Sequence, residues 1–335
     1  MKNISWSIIL FIAFIGCSKT VKSNMNSEKQ NNKISILRFD KDLYQYLKAP
    51  SNSLEDSLNN KYPNLGKTLS LSVSNSYLPN DSDQTYTILR NYFSHPALMN
   101  IYYDASFRVY NNVNSFEDAL HKVQNRIHEY MPTQKLPRLA MHVSGFKENV
   151  IVLNGLISLS CDKYLGSEYP AYQSFFEPYQ RQQMTPEYIV RDYLKAWLVS
   201  DIVKQNDHHK TSLLTSIIHE GKILYILSQL LPDVPNRIII GYTDQQLTWN
   251  QENEKNIWNA IIKQNHLYTT DYLIISKYIL DAPFTSTISA QSPGRSGAWV
   301  GWQIVNEYIK KTNTSIEELL TADAATILKL SKYNP

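Results

Sequence analysis

The chain has 335 residues, 43% of them hydrophobic and 19% charged, enough apolar material for a sizeable core in one large domain or two ordinary ones, which excludes wholesale disorder. Lys and Arg number 33 against 30 Asp and Glu, and a net charge of +3 is too small a bias to track a phosphate backbone, so nucleic acid is not expected as a partner. Two cysteines make neither a disulfide framework nor a paired zinc site, and 23 Tyr against 10 Gly exclude Gly-rich repeat architectures.

Met1, Lys2 and Asn3 give a short positive start to the apolar run Ile4 to Ile15, which has the length of a signal h-region and falls short of the ~20 residues a membrane span needs. Phe14-Ile15-Gly16-Cys17 follows and resembles the bacterial lipobox, where cleavage precedes the cysteine and its thiol takes a diacylglycerol. Residues 1–16 therefore read as a lipoprotein signal peptide and Cys17 as the lipidation site, which leaves Cys161 the one free thiol of the processed chain. Residues 17–33 then form the lipidated cysteine and a tether: Ser18 to Lys33 holds one Val and one Met among polar residues, and as flexible coil spans on the order of 20 Å. Past the tether no run of ~18 uncharged apolar residues occurs, so anchoring is expected to rest on the lipid.

Globular text begins at Ile34. Asp40 to Leu47 places Leu43, Tyr44 and Leu47 on one helical face, and helical patterns return at Ser53 to Leu58, Thr85 to Phe93 and Ser115 to Tyr130, the last with Ser115 and Asp118 at capping-box spacing. Arg138 to Phe146 and Asn149 to Leu153 are β-rich and predict one hairpin turning at Lys147-Glu148. Beyond Asn154 helical patterning resumes: Pro186 opens a helix over Glu187 to Asp201, Lys204 to Lys210 is a polar break, and Thr211 to Leu231 is a long apolar helix. Thr243 to Gln264 and Asp271 to Leu280 follow. Gly297 and Gly301, one helical turn apart, predict close approach of another backbone, and Ser315 with Glu318 caps the last helix. The expected fold is α+β, predominantly α-helical with a small β-hairpin or sheet, in a single globular domain over 34–335.

The sharpest chemical candidate lies on the long apolar helix, where Ile218-His219-Glu220-Gly221-Lys222-Ile223 carries the first half of a zinc-binding HExxH. Ile223 stands where the second imidazole belongs and has no lone pair to give, so no metal or other cofactor is expected and the chain reads as a non-enzyme. On a helical wheel Glu220 falls among Leu213, Leu224, Leu227 and Leu231, while Lys222 and Gln229 share a narrow polar stripe. A carboxylate in apolar surroundings needs a cation, and Arg295, flanked by Gly294 and Gly297, is the candidate. His219, Glu220 and Arg295 thus form a vestigial site or a structural buried pair, with no residue assigned to catalysis. His95, His121, His128, His142, His208, His209 and His266 read as exposed or satisfied, Cys161 as an inert half-buried thiol, and Trp249, Trp258, Trp299 and Trp302 as core. No Walker loop, GxSxG elbow or Rossmann fingerprint is present, which removes support for nucleotide and serine-hydrolase chemistry.

Several strings in order resemble the gliding motility lipoproteins called GldB: the lipobox, Arg38-Phe39-Asp40-Lys41, Val143-Ser144-Gly145-Phe146, Asp162-Lys163-Tyr164-Leu165-Gly166 and Glu220-Gly221-Lys222-Ile223-Leu224-Tyr225. The series continues through Gly241-Tyr242-Thr243, Trp249, Ala282-Pro283-Phe284, Pro293-Gly294-Arg295, Gly301-Trp302-Gln303-Ile304-Val305 and Ser331-Lys332-Tyr333. The resemblance implies a lipid-anchored envelope protein required for gliding, acting without catalysis beside the adhesin-secretion (type IX) machinery. Its implied partners are the membrane, through the lipid, and other gliding and secretion proteins of the envelope. Ser18 to Val21 lacks an acidic cluster, which places the expected domain on the periplasmic side of the outer membrane. A second resemblance, in the order of hairpin, HE-bearing helix and Gly-rich helix, is to a zinc-peptidase family of zincin fold. It implies a degenerate zincin-like arrangement, and as the alternative function an unrecognised metal-dependent peptidase.

Overall fold

The computed structural model describes residues 34–74, 84–204 and 211–335. Residues 1–33, with the signal peptide, Cys17 and the tether, lie outside the described residues, as do His208 and His209. Ile34 to Pro335 form one compact unit.

A two-residue strand β1 (Leu37–Arg38) leads into α1 (Phe39–Lys48), whose Phe39, Leu43 and Tyr46 recur at helical spacing and are fully buried. Helices α2 (Asn52–Lys61), α3 (Leu65–Ser74) and α4 (Thr85–Phe93) follow, with Ser51 capping α2 by accepting from the Leu54 N–H. A π-helical turn over Leu98–Tyr103 runs into α5 (Asp104–Val109), and α6 (Asn114–Tyr130) buries the stripe Leu120, Val123 and Ile127. The capping box expected from Ser115 and Asp118 is not there. Val113 occupies the cap position without a side-chain bond, because the helix already starts at Asn114.

The sheet corrects the expected hairpin. Strands β2 (Arg138–His142), β3 (Val150–Leu153) and β4 (Leu156–Ser160) join β1 in the order β1-β2-β4-β3, with β1, β2 and β4 parallel and β3 antiparallel to β4. The hairpin is therefore β3 to β4, turning at Asn154-Gly155 with Gly155 at φ +69°, and the run after Asn154 is a strand instead of a helix. All five residues of β4 are buried, Ser158 and Ser160 included, as a central strand covered on both faces requires. Lys147 and Glu148 belong instead to the loop that carries the chain from β2 past the place β4 will fill.

Past the sheet come a single turn, α7 (Pro178–Arg181), and α8 (Ile189–Trp197), which Pro186 opens through a 3-10 turn. Helix α8 packs on β3 and β4 with one side and touches α6 and α9 (Leu213–Leu230) with the other, so it joins sheet to bundle. The remaining helices are α10 (Asn236–Ile240), α11 (Asp244–Lys263), α12 (Tyr272–Ile279), α13 (Ser296–Thr312), α14 (Ile316–Thr321) and α15 (Ala324–Ser331). Ser315 and Glu318 form the capping box of α14. The bundle centres on α9 against α13, and they meet backbone to backbone. A Cβ on Gly301 would stand 1.7 Å from the Ile217 carbonyl oxygen, and one on Gly221 would stand 2.3 Å from the Gly301 carbonyl oxygen. Only glycine admits that crossing. The architecture is a mostly helical α+β fold with a small mixed sheet.

Candidate functional site

Helix α9 is apolar nearly all round and buried in the bundle, so each polar group on it needs a partner from another element. Glu220 finds Arg295: the guanidinium Nη2 donates to Oε2 at 2.9 Å, with the side chains 5% and 18% exposed. Arg295 also donates from Nη1 to the Ile240 carbonyl at 2.8 Å, and its Nε lies 3.7 Å from Asp281 Oδ1. The arginine caps α13 in the left-handed region at φ +60°, an unfavourable setting for a side-chain-bearing residue, and Tyr242 steadies the loop by donating to the Gly294 carbonyl at 2.8 Å.

Lys195 approaches the pair from α8. It makes no hydrogen bond or ion pair among the described residues, and the Arg295 charge, then burial, hold its ammonium down to about 8. Burial pushes the Glu220 carboxyl upward, but the Lys195 and Arg295 charges outweigh it and keep that group below its usual range.

Lys195 and Asp281 line a cavity of about 520 Å³, walled on one side by Val150 and Val152 of β3 and on the other by Lys163, Tyr164, Phe176 and Tyr179. Arg191, 3% exposed, lines it too: Nη1 pairs with Asp192 Oδ1 at 2.9 Å, Nη2 donates to Gln183 Oε1 at 2.6 Å, and Nε is buried without a partner among the described residues. Asp192 is doubly engaged, since Tyr164 donates to its Oδ2 at 2.8 Å.

His219, one residue before Glu220, points elsewhere. It borders a separate cavity of about 360 Å³ with Thr215, Lys222 and Asp323, and burial lowers its pKa. Ile223 is fully buried, and among the described residues no three His, Cys, Asp or Glu side chains gather as a metal site. The structure thus brings together Glu220 and Arg295 but not His219. Of the polar stripe expected of Lys222 and Gln229, Gln229 is half-buried and Lys222 is buried: it runs to the end of α14 and donates to the Leu320 and Ala322 carbonyls at 3.3 and 2.6 Å, its ammonium lowered by burial to about 8. Cys161 is wholly buried, beyond the half-burial expected, with its thiol raised by desolvation and donating to the His142 carbonyl at 3.0 Å. His142 is buried against Ser158 at 2.8 Å and burial lowers it to about 3, while His95, His121 and His128 are exposed and His266 meets the Tyr278 hydroxyl at 2.9 Å. Trp299 and Trp302 are buried edge to face, and Trp249 and Trp258 pack partly buried at the core margin.

Sequence reasoning missed Lys195, Arg191 and Asp281. Their one local signal was two cations four residues apart on a helix otherwise rich in buried apolar residues.

Strings far apart in the chain meet here. Arg38 grips Asp40 through Nε and Nη2 at 2.9 and 2.6 Å and donates from Nη1 to the Tyr110 carbonyl at 2.6 Å; the Tyr110 hydroxyl donates to the Tyr164 carbonyl, and Tyr164 reaches Asp192 at the cavity. The loop Ser144-Gly145-Phe146 wraps the fully buried Asp162 carboxylate, with the Ser144 and Phe146 N–H groups donating at 3.2 and 3.0 Å and the Ser160 hydroxyl adding a third bond. Phe146 takes φ +66° to turn its N–H inward. These contacts hold Lys163 and Tyr164 in the cavity wall.

No curated protein and no solved structure matches the chain. A family model, that of the gliding motility protein GldB, matches residues 20–335. Nearly the whole chain is covered, including every element from β1 to α15 and both partners of the Glu220–Arg295 pair. The protein belongs to the GldB family of gliding motility proteins.

Proposed function

We propose that this gliding motility protein is a lipid-anchored, non-catalytic component of the cell envelope. It is held through Cys17 at the outer membrane, faces the periplasm, and acts by contact with the adhesin-secretion (type IX) machinery. The observation that carries the non-catalytic part is the occupation of Glu220. A general base beside a metal-bound water needs a free carboxylate and imidazoles turned to the same side. Glu220 instead accepts from Arg295 at 2.9 Å, His219 borders a cavity that Glu220 does not line, and the next turn presents buried Ile223. The family supports the motility role, and the lipobox-like Phe14-Ile15-Gly16-Cys17 supports the anchor.

The test is a gliding strain in which the gene is deleted and then restored with Glu220→Gln. Deletion abolishes spreading on agar. The near-isosteric Glu220→Gln leaves the buried Arg295 with only the more distant Asp281 as counter-charge, which costs about 2–4 kcal/mol, so spreading falls only as far as the amount of folded protein falls. A Glu220→Gln protein present at normal levels in a strain that no longer spreads would overturn the non-catalytic reading. Normal spreading after deletion would overturn the role itself.

A further inference from the structure

We propose that the free edge of β3, with the cationic cavity beside it, docks an extended, carboxylate-bearing peptide segment of a partner protein. The ladder shows which groups are free. The Ser160 N–H donates to the Asn149 carbonyl at 2.9 Å and Ile151 stands opposite Ser158, so residues 149, 151 and 153 turn their backbone groups to β4. By alternation Val150 and Val152 turn theirs outward, and among the described residues nothing bonds to them. The strand reads Val-Ile-Val-Leu, with no charge or proline to blunt it, and Val152 is 44% exposed. Exposed edges of this kind accept a further strand.

The charge beside the edge selects what is added. Three cations, Lys163, Arg191 and Lys195, line the cavity with two carboxylates, Asp192 and Asp281. Asp192 is taken up by Arg191 and Tyr164, Asp281 lies by Arg295, and Lys163 donates to the Phe146 carbonyl at 3.3 Å with its ammonium over the Phe176 ring. Lys195 makes no hydrogen bond or ion pair among the described residues, the carboxylates that attract it being Asp281 and a Glu220 already bonded to Arg295, and the buried Nε of Arg191 is unmet. Val150 and Val152 line the same cavity, so a side chain of a strand laid along them falls within reach of the unmatched positive charge.

This surface deepens the contact role proposed above and rests on it, but a binding assay reads the surface alone, whereas spreading reads the role. Fluorescence anisotropy is measured on the full chain extracted in mild detergent. The probes are labelled, end-blocked hexapeptides of alternating Val and Thr with one Asp moved through the positions, each with an Asn twin. The best Asp peptide binds at least tenfold tighter than its Asn twin, Lys195→Met removes that difference, and N-methylation of alternate peptide nitrogens weakens binding at least tenfold. Failure of every Asp peptide to bind, equal binding of the twins, or discrimination that survives Lys195→Met overturns the proposal. So does indifference to N-methylation together with displacement by sodium acetate, which would mark a site for small carboxylates instead of a strand.

Discussion

Lys195 is held in the fold at a net cost, because the attraction of Glu220 and Asp281 does not outweigh Arg295 and burial. Its ammonium stands beside Arg295 in a partly desolvated place, with Glu220 already committed to the arginine, and its pKa falls from 10.5 to about 8. A lysine whose folded pKa is lowered destabilises the fold fully below that value, and the penalty disappears as pH rises from about 8 toward 10.5, where the unfolded chain also loses its proton. Arg191, Arg295, Glu220 and Asp281 are the charges that set this balance. Lys195→Met should therefore stabilise the protein at pH 7 by about 1–3 kcal/mol, and urea titrations from pH 7 to 10.5 should show the gain shrinking through that window. A variant less stable than the parent at pH 7 would mean that Lys195 has a structural partner. The need of Glu220 for a cation was legible from α9 alone, because a carboxylate among leucines is not left unpaired, and Gly294 beside Arg295 pointed to the arginine. Lys195 was not legible. A lysine on an amphipathic helix reads as reaching for water, and only the arrival of α13 sets Arg295 beside it.

Helix α9 and helix α13 are the pair on which the bundle rests, and their contact depends on missing side chains. Gly301 faces the Ile217 carbonyl and Gly221 faces Gly301, so a methyl group on either must separate two backbones, since no flexible side chain is there to yield. Gly301→Ala should cost about 3 kcal/mol or more, read as a lowered denaturation midpoint at unchanged slope. An alanine variant within about 0.5 kcal/mol of the parent, the size of a neutral surface change, would mean the helices can part freely. A helix start was legible where the cap residues stood in the sequence, as at Ser315 and Glu318, which close a capping box on α14. The sheet was legible in composition but not in pairing. Ile157-Ser158-Leu159-Ser160 alternates as a strand does, although β4 is covered on both faces and its serines are buried, and the signal that would have placed the turn was Asn154-Gly155. Nothing local says that the loop after β2 leaves room for a strand that comes later.

Across the molecule, α8 ties the sheet to the bundle, and the cavity opens where the β3 edge, α8 and the loop at Asp281 converge, a combination of three distant stretches that no local window contains. None of the described helices is long and apolar enough to cross a membrane; even α9, the most apolar long one, carries His219, Glu220 and Lys222 and spends its surface on α13, α15 and α12. The attachment proposed above rests on the N-terminal segment, where Cys17 is the candidate. A diacyl thioether with an added acyl chain gives the two or more chains that stable anchoring takes, at about 0.8 kcal/mol per buried methylene, whereas the lysines of residues 18–33 add little among neutral neighbours. Cys17→Ala should move the protein from the detergent phase to the aqueous phase in Triton X-114 partition and abolish metabolic labelling with an alkynyl fatty acid. The unfolding midpoint of the protein should stay unchanged, because Cys17 precedes the unit that begins at Ile34. A Cys17→Ala protein that stays in the detergent phase would put the anchor elsewhere.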